Sequence, residues 1–250
     1  VGKVDKNPDG TIDLDNMPIA KTEDTKNLEV NLGKITTLDK SYSMGSANVS
    51  GNSLTIGTGS TVEFNNAKNG QFATNKDAAP NADSKVNVTL EENSALNVNN
   101  NGSLGDIKKS GSVSGTTVVL GGNNGTQKVG VVDVATFKQV GGNVTTGAIT
   151  ATTEINVKGV LNAGGDISTA ALDLTGGAIK AAGKDITVTS DSKEAKIFGD
   201  VEAGSLSLAG ETTIAGNADV KLGTLNLADS QFLNVGRDGE NGSTATVFTD

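Results

Sequence analysis

Two residue types that support much of enzyme chemistry are missing from this sequence, which contains no cysteine and no histidine. Without cysteine, the chain cannot form a disulfide, offer a thiolate nucleophile or bind a metal through sulfur. Without histidine, it lacks the usual general base at neutral pH, the Ser-His-Asp triad and the commonest zinc ligand. Chemistry that needs only two carboxylates, as in glycosidases, stays open. We therefore expect a protein that is not an enzyme and has no catalytic residues.

Aromatic residues are also scarce, at 3% of the 250 residues, with no tryptophan and a single tyrosine. A globular core of this size would lack its bulky fillers, whereas a narrow solenoid interior can be filled by Val, Ile, Leu and Ala. Proline is rare (3 residues) and glycine frequent (33 residues). Glycine, together with the many Asn, Asp, Ser and Thr residues, favours turns. The composition therefore predicts short strands joined by turns.

Basic residues are outnumbered, with 20 Lys and Arg against 29 Asp and Glu, a net charge of −9 and an isoelectric point near 4.6. Binding to phosphate needs clustered Lys and Arg, so we expect neither nucleic acid nor an anionic membrane as a partner. No apolar run approaches the roughly 20 residues of a membrane helix, and we expect no membrane insertion of this segment. Val1-Gly2-Lys3 does not resemble the start of a signal peptide.

One short phrase recurs in residues 147–248 and gives the most informative pattern of the chain. In each occurrence, two aliphatic residues flank one polar residue. The phrases are Glu154-Ile155-Asn156-Val157, Ala171-Leu172-Asp173-Leu174, Ser205-Leu206-Ser207-Leu208 and Thr224-Leu225-Asn226-Leu227. Their first aliphatic residues recur after about 17, about 34 and about 19 residues, and Ile186 lies near the middle of the long interval. An interval this short predicts the coils of a β-solenoid.

The predicted fold is therefore all-β, a parallel β-helix (β-solenoid) with imperfect repeats of about 17 to 19 residues. We divide the chain into an N-terminal acidic loop and cap, residues 1–48, and solenoid repeats, residues 49–250. A cap would cover the open strand edge and apolar interior of the first coil. At about 18 residues per coil, the repeats would form about 11 coils and a rod of roughly 50 Å.

The repeat also predicts where side chains point. We expect Leu172, Leu206 and Leu225 to stack in one interior column. Ladders of polar side chains should run along the outside, since neighbouring coils lie about 4.8 Å apart. The candidate ladder residues are Asn156, Asn226, Thr150, Thr152 and Thr153.

The part of the chain before residue 141 allows other structures. Asn101-Gly102 and Asn124-Gly125 are hairpin signals, so an antiparallel β-sandwich is the alternative there. Residues 65–84 form a polar stretch between two strand phrases, which predicts a loop projecting from the solenoid wall. Residues 133–141 fit either a short helix capped by Asp133 or a strand continuing from Val132 to Val134.

A calcium-binding loop is predicted near the start of the chain. Oxygen-bearing side chains alternate before and after Gly10, as in loops that wrap a hard cation. The segment resembles the calcium loops of EF-hand, dockerin and thrombospondin type 3 modules, but Asn16 replaces the acid expected at the twelfth position. The candidate metal ligands are Asp5, Asn7, Asp9, Thr11 and Asp13. The alternative is an acidic turn that leads into a strand.

From residue 49 onward, the pattern of short apolar-polar phrases resembles the passenger domains of bacterial autotransporter and filamentous-haemagglutinin adhesins. The resemblance rests on phrases such as Ser94-Ala95-Leu96-Asn97-Val98 and Leu225-Asn226-Leu227-Ala228-Asp229. It implies a right-handed parallel β-helix outside a Gram-negative cell, with adhesion or self-association as its task. Its partners would be a receptor on a host or neighbouring cell, or copies of itself. Two alternatives are a structural subunit of a surface layer or extracellular filament, joined by calcium, and a carbohydrate-cleaving enzyme built on a β-helix.

Overall fold

A computed structural model describes residues 29–33, 37–49, 53–67, 86–100, 102–122, 125–229, 232–236 and 246–249 of the chain. These residues are all-β without a helix, and they form a parallel β-solenoid of about 9 turns. The predicted fold class is thus confirmed. The number of turns is lower than expected because insertions lengthen some coils. One of them separates Leu54 from Val88, which pair in adjacent coils.

Twenty-four strands make up the described structure. They are β1 (Glu29–Gly33), β2 (Thr37–Leu38), β3 (Tyr42–Val49), β4 (Ser53–Ile56), β5 (Thr61–Ala67), β6 (Asn87–Leu90), β7 (Ala95–Val98), β8 (Gly102–Ser103), β9 (Ile107–Lys109), β10 (Thr117–Leu120), β11 (Thr126–Lys128), β12 (Val132–Gln139), β13 (Asn143–Thr146), β14 (Ile149–Val157), β15 (Val160–Ala163), β16 (Ile167–Thr169), β17 (Leu172–Leu174), β18 (Ala178–Val188), β19 (Ala195–Ile197), β20 (Asp200–Leu208), β21 (Thr212–Ile214), β22 (Asp219–Leu227), β23 (Leu233–Val235) and β24 (Thr246–Thr249).

The strands stack in three columns, which we name faces I, II and III in the order in which the chain visits them from β2 onward. Face I contains β2, β4, β6, β9, β16, the first halves of β12 and β14, and the second halves of β18, β20 and β22. Face II contains β7, β10, β17, β19, β21, β23, the first parts of β3 and β5, and the second halves of β12 and β14. Face III contains β1, β8, β11, β13, β15, β24, the second parts of β3 and β5, and the first halves of β18, β20 and β22.

Every pairing between the described strands is parallel, so the alternative of an antiparallel sandwich before residue 141 is wrong. The described strands on either side of the two Asn-Gly sequences pair with other coils and not with each other. Gly102 instead begins β8 and pairs in parallel with Ala67 of β5, while Gly125 precedes β11 at a corner between faces II and III. Glycine serves here to let one coil lie closely on the next.

Residues 133–141 form no helix, because β12 extends from Val132 to Gln139. Its Phe137 packs inward, and Gln139 is also fully buried. The Gln139 amide nitrogen donates to the carbonyls of Gly141 (2.9 Å) and Gly142 (3.0 Å), and its oxygen accepts from the Gly159 N–H (3.2 Å). The polar side chain of Gln139 can be buried because backbone N–H and C=O groups at this corner need hydrogen-bond partners, which its amide supplies.

The loop predicted for residues 65–84 is wrong for its first residues. Asn65 and Asn66 belong to β5, and Asn66 pairs with Ser46 of β3. Residues 68–85 lie outside the described residues, and so do residues 1–28, which include the whole acidic loop.

The predicted interior column of leucines is correct for two of its three members. On face I, Leu206 pairs with Ile186 in the preceding coil and with Leu225 in the following one. Leu172 lies on face II, where it pairs with Ile155. The interval from Leu172 to Leu206 therefore spans more than one coil and ends on a different face. Each face carries the same apolar-polar-apolar phrase, so the spacing alone did not separate them.

The corner between faces II and III is formed by stacked glycines. Gly142, Gly159, Gly177 and Gly199 follow one another in consecutive coils, and a Cβ atom on any of them would lie 2.1–2.5 Å from a carbonyl oxygen of the coil before. The backbones also bond here, as in the hydrogen bond from the Ala178 N–H to the Gly159 carbonyl (2.9 Å). Backbone packs directly on backbone, which only glycine permits.

Candidate functional site

The predicted calcium ligands Asp5, Asn7, Asp9, Thr11 and Asp13 lie outside the described residues, so calcium binding stays a prediction. Within the described residues, no three acidic side chains lie together in a way that could hold a metal ion. The surfaces that the structure does describe are the outer sides of the three faces and the strand edges of the last coil.

Face I presents a row of small hydrogen-bonding side chains. In consecutive coils the row contains Thr150, Ser168, Thr187, Ser207 and Asn226. The Asn226 amide donates to the Ser207 hydroxyl at 3.1 Å, so neighbouring coils are also linked through side chains. The row carries no charge over five coils, in a protein whose net charge is −9. Thr150 and Asn226 thus join an outward ladder as predicted.

The other predicted ladder residues are placed differently. Asn156 lies on face II, so it shares no ladder with Asn226 although their phrases look alike. It donates to the Asp173 carboxylate at 3.3 Å. Thr152 and Thr153 are exposed at the bend of β14, where the register with β12 shifts, and they extend no ladder.

Face II carries a shallow cleft of about 300 Å³. Its lining is Glu154, Ala171, Leu172, Asp173, Lys193, Glu194 and Lys196. Ala171 leaves room between the longer side chains of the coils on either side. Three acids and two lysines give the cleft mixed charge, and these groups already interact with neighbours. The Glu194 carboxylate accepts from the Thr213 hydroxyl at 2.7 Å and lies 3.9 Å from the Lys196 ammonium.

A corner loop forms one wall of this cleft. Residues 189–194 join β18 to β19, whereas in the previous coil only Ala170 and Ala171 join β16 to β17. The loop is fixed to its neighbours, because the Ser190 N–H donates to the Ala170 carbonyl and Lys193 reaches the Thr153 carbonyl two coils away (3.4 Å). The sequence signals the loop only through the longer gap between Val188 and Ala195.

Face III has alternating charges in its last coils. Lys180, Glu202 and Lys221 occupy one row in register. Asp219 lies beside this row and binds Lys221 at 3.0 Å. The hydrogen bond from Lys221 to Asp219, followed by the charge of Asp219, raises the pKa of Lys221 above its ordinary value. Because these side chains are exposed, the pair contributes little to stability.

Of the five exposed large apolar side chains among the described residues, three lie in the coil of β22 and β23. Phe232 is 73% exposed, Val235 45% and Leu227 42%. On faces I and II, the described strands at this end pair only with the preceding coil, through Leu208–Leu227 and Ile214–Val235.

Comparison of the chain with protein-family models, with curated proteins and with solved structures finds no match. A search of the described residues for a long apolar helix that could cross a membrane also finds none.

Proposed function

We propose that this chain is a non-enzymatic bacterial cell-surface protein that mediates adhesion or self-association through its extended β-solenoid. The observation that carries the proposal is the uncharged part of the outer row of face I, from Thr150 to Asn226; the same row continues into Asp133 and Lys108 in the two preceding coils. Stacked coils repeat hydroxyl and amide groups along a straight line, at about 4.8 Å intervals. Such a surface suits many weak contacts with a receptor on a host or neighbouring cell, or with another copy, since linked contacts raise the overall affinity.

The proposal is tested by attachment of coated beads. Beads carrying residues 1–250 should attach to target cells or cluster with each other, and this should weaken in Thr187→Lys, which puts a charge in the neutral row. Thr145→Lys is the matched control, because Thr145 faces outward on face III. Beads that neither attach nor cluster would contradict the proposal. Equal effects of the two variants would show that face I is not the contact surface.

The second candidate is a structural subunit of a surface layer or extracellular filament. It is favoured by the parallel coil-on-coil pairing of the described strands, which can continue from one chain into the next. Electron microscopy of the purified chain distinguishes the candidates. Ordered polymers favour the filament or surface layer, and single rods favour the adhesin. Repeating the imaging with a calcium chelator tests whether calcium joins the subunits.

A further inference from the structure

The cleft on face II lies above a single alanine in a row of longer side chains. By the register of the strands, Ala171 lies between Glu154 of the preceding coil and Glu194 of the following coil, and Asp173 lies beside it in the neighbouring outward row. Coils are about 4.8 Å apart, so the two glutamates flank a gap about two coils wide. Three carboxylates therefore surround a space of about 300 Å³ that no side chain of the described residues fills.

The two glutamates are held only loosely by lysines. Lys138 lies 3.8 Å from Glu154 and Lys196 lies 3.9 Å from Glu194, and both distances exceed that of a hydrogen bond. One oxygen of Glu194 accepts from the Thr213 hydroxyl at 2.7 Å, whereas Glu154 has no hydrogen bond from a side chain of the described residues. Both carboxylates therefore keep oxygen lone pairs for a donor in the cleft.

The third acid, Asp173, has one oxygen without a partner. Its Oδ2 accepts from the Asn156 amide at 3.3 Å, while its buried Oδ1 has no hydrogen bond within the described part of the chain. Rotation about the Cβ–Cγ bond brings this oxygen to the cleft. A donor there recovers the free energy that an unpaired buried oxygen costs. The remaining lysine, Lys193, donates to the Thr153 carbonyl oxygen at 3.4 Å, so its described partner is backbone and not a carboxylate.

We propose that this cleft binds a primary ammonium group, the side chain of a lysine on a partner protein. An ammonium has three donors and no acceptor, which matches three carboxylates that lack close donors. The lining has three acids against two lysines, a net charge of −1 in a chain of net charge −9, so the field favours a cation over an anion. A lysine suits the cleft better than an amino sugar, because the lining offers a small apolar floor at Ala171 for the methylene stem and no aromatic platform for a ring. The site lies on face II and goes beyond the contact row proposed on face I.

The test is NMR titration of residues 1–250 with N-acetyl-lysine amide, a probe with one ammonium group. We expect saturable shifts in β14, β17 and β19 that weaken as the salt concentration rises, because salt screens the charges. N-acetyl-norleucine amide, which lacks the ammonium, should cause no such shifts. Ala171→Leu fills the gap and should weaken binding by about tenfold or more. Asp173→Asn removes one charge and should weaken it by about fivefold.

The controls change the same kinds of residue elsewhere on face II. Ala95 lies in the same outward row as Ala171 but between two threonines, so Ala95→Leu should leave binding unchanged. Glu63 accepts from an asparagine amide as Asp173 does, so Glu63→Gln removes a matched charge away from the cleft and should also leave binding unchanged. Circular dichroism checks that all four variants keep the β-structure.

Four results would overturn the proposal. They are the absence of saturable shifts with the lysine probe, an equal response to the norleucine probe, binding that Ala171→Leu does not weaken, and tighter binding of glucosamine than of the lysine probe. Attachment of beads carrying Asp173→Asn, measured in parallel, keeps this proposal apart from adhesion through face I, because the row on face I is unchanged in that variant.

Discussion

Two nearly identical phrases in adjacent coils, Ser205–Leu208 and Thr224–Leu227, differ sharply in burial. Leu206 and Leu208 are almost completely buried, whereas Leu225 is only partly buried and Leu227 is 42% exposed. Both phrases lie on face I in exact register. The difference arises from the coils above and below, because each coil of a solenoid is covered by its neighbours alone. Burial of a phrase therefore depends on the coils on both sides of it. The same substitution should cost less stability in the last described coil than in the coil before it.

The largest effect is expected from a charge inside the stack. Leu206→Asp would place a carboxylate between Ile186 and Leu225, where nothing can pair with it, and should cost several kcal/mol. Leu225→Asp should cost much less, since its side chain can reach solvent. Thermal and denaturant unfolding measure both variants. An unchanged unfolding curve for Leu206→Asp would count against the solenoid itself.

The next largest loss of stability is expected from removing apolar volume in the same two coils. Leu208→Ala leaves a cavity in a site that is 2% exposed and should cost about 2–5 kcal/mol. Leu227→Ala removes a side chain that is partly in water and should cost less than about 1 kcal/mol. Urea midpoints give the comparison directly. If the two losses were equal, the last coil would be covered in solution.

At the corner between faces II and III, the neighbouring glycines Gly176 and Gly177 should also differ in what a substitution costs. A Cβ at Gly177 would lie 2.2 Å from the Gly159 carbonyl oxygen, so Gly177→Ala must push two coils apart and should cost up to about 3 kcal/mol. Gly176 has a φ of +88° but open space around it, and Gly176→Ala should cost only about 1 kcal/mol. Urea unfolding of the two single variants tests the difference. A larger loss for Gly176→Ala would mean that backbone conformation outweighs coil packing at this corner.

The sequence predicts the solenoid because alternating aliphatics recur at coil length, and this held for Leu206 and Leu225. It does not assign phrases to faces, because Leu172 on face II looks the same as Leu206 on face I. The corner glycines give a second, independent measure of the coil. Gly142, Gly159 and Gly177 recur after about 17 and about 18 residues at one corner. They therefore give the length of a coil independently of the aliphatic phrases on the faces.

The candidate surfaces could be predicted only in part. Alternation places Thr150 and Asn226 outside, but it does not show that they share a face while Asn156 lies on another. The cleft on face II was missed entirely. It depends on a loop at residues 189–194 that folds against coils distant in sequence, which local patterns do not encode.

The smallest effect is a change in the pKa of Lys221 on face III. It is small because the side chains involved are exposed, whatever their position in the stack. Asp219→Asn removes the main cause of the raised Lys221 pKa, so this pKa should fall towards 10.5. A raised pKa means that the pair's contribution to stability is present below pH 10.5 and is lost as the pH rises through the folded-state pKa. NMR titration of the lysine side-chain carbons measures the shift. Asp200→Asn is the control, since Asp200 is the weakest of the influences on Lys221 and its replacement should move the pKa least. The same Lys221 titration in wild type and Asp219→Asn would show that the 3.0 Å contact does not persist in solution.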